Sequence, residues 1–118
     1  MKKYEELSAL VLDWADDKDL LHAKNADKQF MKFIEEVFEF KTEVDLWTKV
    51  FTDSERKRLE VPQMHNIKME MGDIFVTLII LCKQLDIDLM ECLEMAYEKI
   101  SKRKGKTVDG IFYKEEDL

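Results

Sequence analysis

The chain has 118 residues, with 19 Lys and Arg against 26 Asp and Glu and a formal charge of −7 at pH 7. That length fits one domain spanning residues 1–118, and three glycines with a single proline are too few for a sandwich or barrel of many turns. The acidic balance argues against binding to a nucleic-acid polymer, whose sequence-independent affinity comes from Lys and Arg neutralising phosphates. For a small anionic ligand, a divalent cation is the most direct way to reconcile it with an acidic protein.

Cys82 and Cys92 lack the spacing of a zinc site and the density of a disulfide scaffold, so reduced thiols packed in helices of a cytoplasmic protein are expected. No basic, apolar leader opens the chain, and the longest apolar run, residues 74–82 with one Thr inside, is too short to span a bilayer. No membrane partner is expected.

In chain order, Leu7, Leu10, Val11 and Trp14 recur at helical spacing over residues 4–16. A polar stretch follows, in which Asn25 is placed to cap a second helix over residues 26–51. Its seam, Phe33, Val37, Phe40, Val44, Trp47 and Phe51, alternates steps of four and three. Thr52, Asp53 and Ser54 break it. The charged residues 55–60 suggest a short helical turn, and Val61-Pro62 marks the expected start of a third helix. That helix carries Ile67, Met71, Ile74, Leu78, Leu81 and Leu85, and its second half is apolar nearly all round, which suits a central element or a subunit interface. Asp86-Ile87-Asp88 gives a turn and cap before a fourth helix over residues 89–102, with Gly105 as its stop. Residues 106–118 read as a polar tail anchored by Val108, Ile111, Phe112 and Tyr113. The Met set, including Met64, Met69, Met71, Met90 and Met95, reads as adaptable packing.

The carboxylates are placed systematically. With Phe33 at the centre of the second helix's seam, Glu36 falls at about −60° and Glu39 at about −120°. With Ile67 at the centre of the third, Glu70 and Asp73 fall at the same offsets, about −60° and −120°. An antiparallel hairpin folded about Ser54 gathers all four acids on one edge. Like charges beside an apolar seam repel and resist burial unless a cation compensates, and Mg²⁺ shares its coordination between carboxylates, waters and phosphates. Glu35 points further from the seam, and Glu43, at about −80°, lies on the same edge as an outer acid or an extra base. A di-iron bundle requires Glu-x-x-His motifs, which His22 and His65 do not supply.

Glu35-Glu36-Val37-Phe38-Glu39 followed by Glu70-Met71-Gly72-Asp73 resembles the EExxE and ExxD motifs of MazG-like nucleotide pyrophosphohydrolases. Trp14-Ala15, Gln29, Lys32, Lys99-Ile100 and Arg103-Lys104-Gly105 are similar to that family too, as is the ending from Asp109 to Asp117, so the likeness covers most of the chain. The resemblance implies an all-α helical bundle of about four helices with a central antiparallel hairpin, completed as a homo-dimer or homo-tetramer. It implies hydrolysis of a nucleoside triphosphate to monophosphate and pyrophosphate with Mg²⁺, for which Mn²⁺ can substitute. The metal ligands it implies are Glu36, Glu39, Glu70 and Asp73.

Lys32, Lys99 and Arg103 are candidates for phosphate contact, Arg as a bidentate grip and Lys as a point charge. Gln29 is a candidate hydrogen-bond donor to the nucleotide. Trp14 reads first as core and second as a stacking surface for the base. Two departures stand out: the connector over residues 52–63 is long for the family, and Ala96-Tyr97-Glu98 precede Lys99 where some relatives carry a nucleotide-contacting Asn. Lys114 and Asp117 are candidates to close over a pocket. The alternative reading is a non-catalytic helical module on the same fold, for nucleotide binding or for protein interaction, against which the four retained acids argue.

Overall fold

A computed structural model describes all 118 residues, which divide by their contacts into two compact units, Met1–Asp86 and Ile87–Leu118. The first holds α1 (Tyr4–Asp17), a short 3₁₀ turn (Ala23–Asn25), α2 (Ala26–Asp45) and α3 (Asp53–Gln84). The second holds α4 (Leu89–Ser101), β1 (Gly105–Val108), β2 (Ile111–Lys114) and a closing 3₁₀ turn (Glu115–Asp117). The protein is all-α apart from this two-stranded ribbon. No helix is long and apolar enough to cross a membrane.

Helix α1 ends where Asp19 adopts φ 60° and the Leu20 N–H returns to the Ala15 carbonyl at 2.9 Å, a left-handed stop more often made by glycine. Ala15 is fully buried there. Tyr4 meets Phe75 edge-on, with ring centroids 6.1 Å apart, which packs α1 against α3. Gln84 Nε2 donates to the Leu20 carbonyl at 2.7 Å and ties the following loop to α3. Asn25 makes no side-chain capping bond; it closes the 3₁₀ turn, and α2 continues directly from it.

Helix α2 winds into a π-helical turn over Leu46–Val50 before the chain reverses. Helix α3 does not start at Val61-Pro62. It begins at Asp53, where Thr52 and Glu55 form a capping box: Thr52 Oγ1 accepts from the Glu55 N–H at 3.2 Å, and the Glu55 carboxylate accepts from the Thr52 N–H at 2.9 Å. Arg56 reinforces the corner by donating to the Trp47 and Phe51 carbonyls at 3.1 and 2.7 Å and by pairing with Asp53. With the corner fixed locally, residues 55–60 join a 32-residue helix and Pro62 sits inside it. The missing donor at Pro62 costs one helical bond, which the strong start of α3 and its packing on α2 outweigh.

The pairs Gln29–Thr77 and Gln63–Glu43, each hydrogen-bonded between α2 and α3, are both centred on position 53. The two helices therefore form the expected antiparallel hairpin, its centre one residue before Ser54. Ile79, Ile80 and Cys82 on the second half of α3 are buried, so this stretch is central to the first unit. Burial is sparse elsewhere. Trp14, expected in the core, is 52% exposed and lines a shallow apolar hollow of about 350 Å³ with Leu7, Leu10, Val11 and Val76. Met69, Met71 and Met95 are also exposed, so they do not pack as core.

In the second unit, Asp88 caps α4 by accepting from the Glu91 N–H at 2.9 Å. Gly105 does not stop that helix, which ends at Ser101; it opens β1 instead. A Cβ at Gly105 would lie 2.0 Å from the Tyr113 carbonyl oxygen, so only glycine lets the strands meet. The stretch expected to be a polar tail is a hairpin turning on Asp109 (φ 50°) and Gly110 (φ 78°), with Val108 opposite Ile111. Two consecutive left-handed residues match the twist of paired strands, which is why Asp-Gly favours such turns.

Candidate metal centre

Three of the four predicted acids meet on the hairpin edge. One carboxylate oxygen from each of Glu36, Glu70 and Asp73 lies within 4.8 Å of the others. Glu36 is buried, Glu70 half-buried and Asp73 exposed, so the group has a closed inner side and an open outer one. The seam positions account for the arrangement: Phe33 and Val37 on α2 and Ile67 and Ile74 on α3 are half-buried, and the helical count sets the acids beside them.

Glu39 stands outside this trio and is exposed, yet it interacts with it. A hydrogen bond with the Glu36 carboxyl, then the charge of Glu36, partial desolvation and the charges of Glu70 and Glu35, raise its affinity for a proton. Glu70 is also raised above the ordinary carboxylate range, first by burial and then by the charges of Asp73, Glu36 and Glu43. Lys32 Nζ lies 3.4 Å from both Glu36 Oε1 and Glu35 Oε2, and chiefly its bond with Glu36 raises its pKa. One half-exposed lysine leaves most of this negative charge uncompensated.

Glu36 Oε2 and Glu70 Oε2 are both buried and lack hydrogen-bond partners. Buried anionic oxygens are costly unless something positive or protic meets them. Hard oxygen donors, open on one side to water or a phosphate, form a donor set suited to a divalent cation such as Mg²⁺.

Gln29 is half-buried, and its Nε2 donates to the Thr77 carbonyl at 3.4 Å, about two helical turns before Glu36. Glu43 lies on the same edge as predicted, and Gln63 engages it, donating from Nε2 to its main-chain oxygen at 2.9 Å and its Oε2 at 2.8 Å. The sequence reading missed Gln63. Its signal was its place seven residues before Glu70, which puts it on the acid edge once α3 is known to run through Pro62.

The sequence profile of the MazG nucleotide pyrophosphohydrolase domain matches residues 26–108 of the 118. The chain belongs to this family. No curated protein and no solved structure matches it significantly. The MazG stretch contains the acid trio, Glu39, Gln29 and Lys32, along with Lys99 at the end of α4 and Arg103 just after it in the second unit. Trp14 lies outside that stretch, as do Lys114, at the end of β2, and Asp117, in the last turn.

Proposed function

We propose that this MazG protein is a Mg²⁺-dependent hydrolase of nucleoside or deoxynucleoside triphosphates, releasing the monophosphate and pyrophosphate, with nucleotide-pool cleaning as its role. The observation that carries the reading is that Glu36 and Glu70 each keep a buried, unpartnered oxygen within an acid trio completed by Asp73. Glu36, Glu70 and Asp73 would hold the metal, and Glu39 would complete the set by turning in from the rim.

Bound there, the cation supplies charge neutralisation for the triphosphate and makes its phosphorus more electrophilic. The chain's own groups do the rest. The attacking water, held by a carboxylate of the site, passes its proton to that carboxylate as the water oxygen bonds to the α phosphorus. The bond between the α phosphorus and the bridging oxygen breaks, and pyrophosphate departs with that electron pair. Lys32, half-exposed beside Glu36, would offer the phosphates a point charge. A second copy of the chain would cover the exposed apolar side chains Leu7, Leu10 and Trp14, since apolar patches of this kind commonly mark interfaces.

The test is pyrophosphate release from a panel of standard and modified triphosphates, with and without Mg²⁺, using Glu39→Gln and Asp73→Asn as controls. Release that needs Mg²⁺ and is lost in both variants is expected. Normal metal binding with no triphosphate turned over would leave the non-catalytic alternative as the better reading.

A further inference from the structure

Three polar pairs cross between α2 and α3 at intervals of seven residues. Gln29 Nε2 donates to the Thr77 carbonyl, Glu36 meets Glu70, and Gln63 Nε2 donates to both the main-chain and side-chain oxygens of Glu43. A step of seven returns a helical position to within about 20°, so the three rungs stand on one edge of the hairpin. Each has a buried member: Thr77, Glu36 and Gln63.

The rungs differ in chemistry. In the outer two an amide meets an acceptor, so the pair satisfies itself across the helices. In the middle two acids meet, and each keeps a buried oxygen without a partner. An acid at position 63 would give the Glu43 rung the same unsatisfied character as the middle one. The amide there removes that conflict, holding the Glu43 carboxylate at 2.8 Å and the α2 main chain at 2.9 Å.

We propose that Gln63 is a positioning residue for the acid centre: its amide fixes the register that sets Glu36 opposite Glu70, and it occupies Glu43 so that cation binding is confined to the middle rung. The inference rests on the reading that Glu36 and Glu70 share a divalent cation. Partners one step removed from a metal site commonly change its affinity by about ten- to a hundredfold, which sets the size of effect to look for.

The experiment measures Mg²⁺ binding by calorimetry, and thermal melting in EDTA and in Mg²⁺, for the wild type, Gln63→Leu, Gln63→Glu and the exchange Glu43→Gln with Gln63→Glu. Expected are an approximately tenfold weaker Mg²⁺ affinity in Gln63→Leu, and in Gln63→Glu a lower melting point in EDTA with a larger Mg²⁺-induced rise. The exchange restores the side-chain amide–carboxylate contact but not the donation to the residue-43 main-chain carbonyl, since a carboxylate cannot donate, so both quantities move part of the way back toward wild type. Should Gln63→Leu not fold, the exchange decides: a Mg²⁺ affinity and a melting point in EDTA recovered part of the way from Gln63→Glu toward wild type support the inference, and behaviour indistinguishable from Gln63→Glu overturns it. Equal melting losses with and without Mg²⁺, at unchanged affinity, would reduce Gln63 to a structural tie and overturn the inference while the metal reading stands. A wild type that does not bind Mg²⁺ overturns the metal reading and this inference with it.

Discussion

Glu36 on α2 and Glu70 on α3 meet across the hairpin, and each turns a buried Oε2 toward no hydrogen-bond partner. Their neighbours sharpen the conflict: Asp73 and Glu43 add negative charge around Glu70, whose carboxyl burial already pushes above its ordinary value of 4.5. Such a pair opposes folding when both members are ionised, and its persistence is best explained by a cation.

The first prediction is a trade of stability for function. Because the folded-state pKa of Glu70 is raised, its protonated form is the one folding favours. Its contribution is fully present below the unfolded value near 4.5 and is lost as pH rises through the raised folded value. In EDTA at neutral pH, Glu70→Gln should therefore melt above wild type while releasing no pyrophosphate. Saturating Mg²⁺ should stabilise wild type by about 2.7 kcal/mol at a hundredfold excess over Kd and leave Glu70→Gln nearly unmoved. Melting curves at acidic and neutral pH, with and without Mg²⁺, check both halves.

Lys32 should matter for substrate more than for folding. It lies 3.4 Å from Glu36 and Glu35 at a half-exposed position, where ion pairs contribute about 0–1 kcal/mol. Lys32→Met is expected to raise KM for the triphosphate several-fold with little change in denaturation midpoint. A steady-state titration alongside urea unfolding measures the two separately.

At the corner, Thr52→Ala removes the hydroxyl that accepts from the Glu55 N–H and should cost about 1 kcal/mol. The Thr52 main-chain N–H, then its hydroxyl, holds the Glu55 carboxyl below its ordinary value of 4.5. That contribution is present above 4.5 and is lost as pH falls through the depressed folded value. Urea unfolding of wild type and variant at neutral pH and near pH 3 should therefore give a smaller difference in acid.

Gly105→Ala forces a methyl to 2.0 Å from the Tyr113 carbonyl oxygen, so the β1–β2 pairing cannot form as it stands. Hydrogen exchange is expected to speed up at Gly105–Val108 and Ile111–Lys114, with α2 and α3 amides unchanged. Faster exchange along α2 would mean the two units do not unfold independently.

The acid edge was legible before any coordinates because helical periodicity fixes angles: once Phe33 and Ile67 define the seams, Glu36 and Glu70 can point only one way. The fold about position 53 followed from the same spacing, within one residue. Pro62 misled because proline is a strong local signal, and here a capping box at Thr52 and the Arg56 bonds start the helix nine residues earlier. Once α3 was taken to begin at Pro62, Gln63 fell in its first turn and its pairing with Glu43 could not be seen. The Asp109-Gly110 turn was readable as a hairpin signal, but the shortness of the flanking strands, Gly105–Val108 and Ile111–Lys114, hid it. Trp14 carries an apolar spacing that says which side of α1 it faces; whether that side is covered within one chain is a tertiary fact.

The most direct test follows the reaction by phosphorus NMR, with a single triphosphate, wild type and Asp73→Asn, in Mg²⁺ and in EDTA. Monophosphate and pyrophosphate should appear in equal amounts only for wild type with Mg²⁺. Diphosphate with inorganic phosphate, or equal turnover in EDTA, would contradict the assignment of Glu36, Glu70 and Asp73 as the centre of a metal-dependent pyrophosphohydrolase.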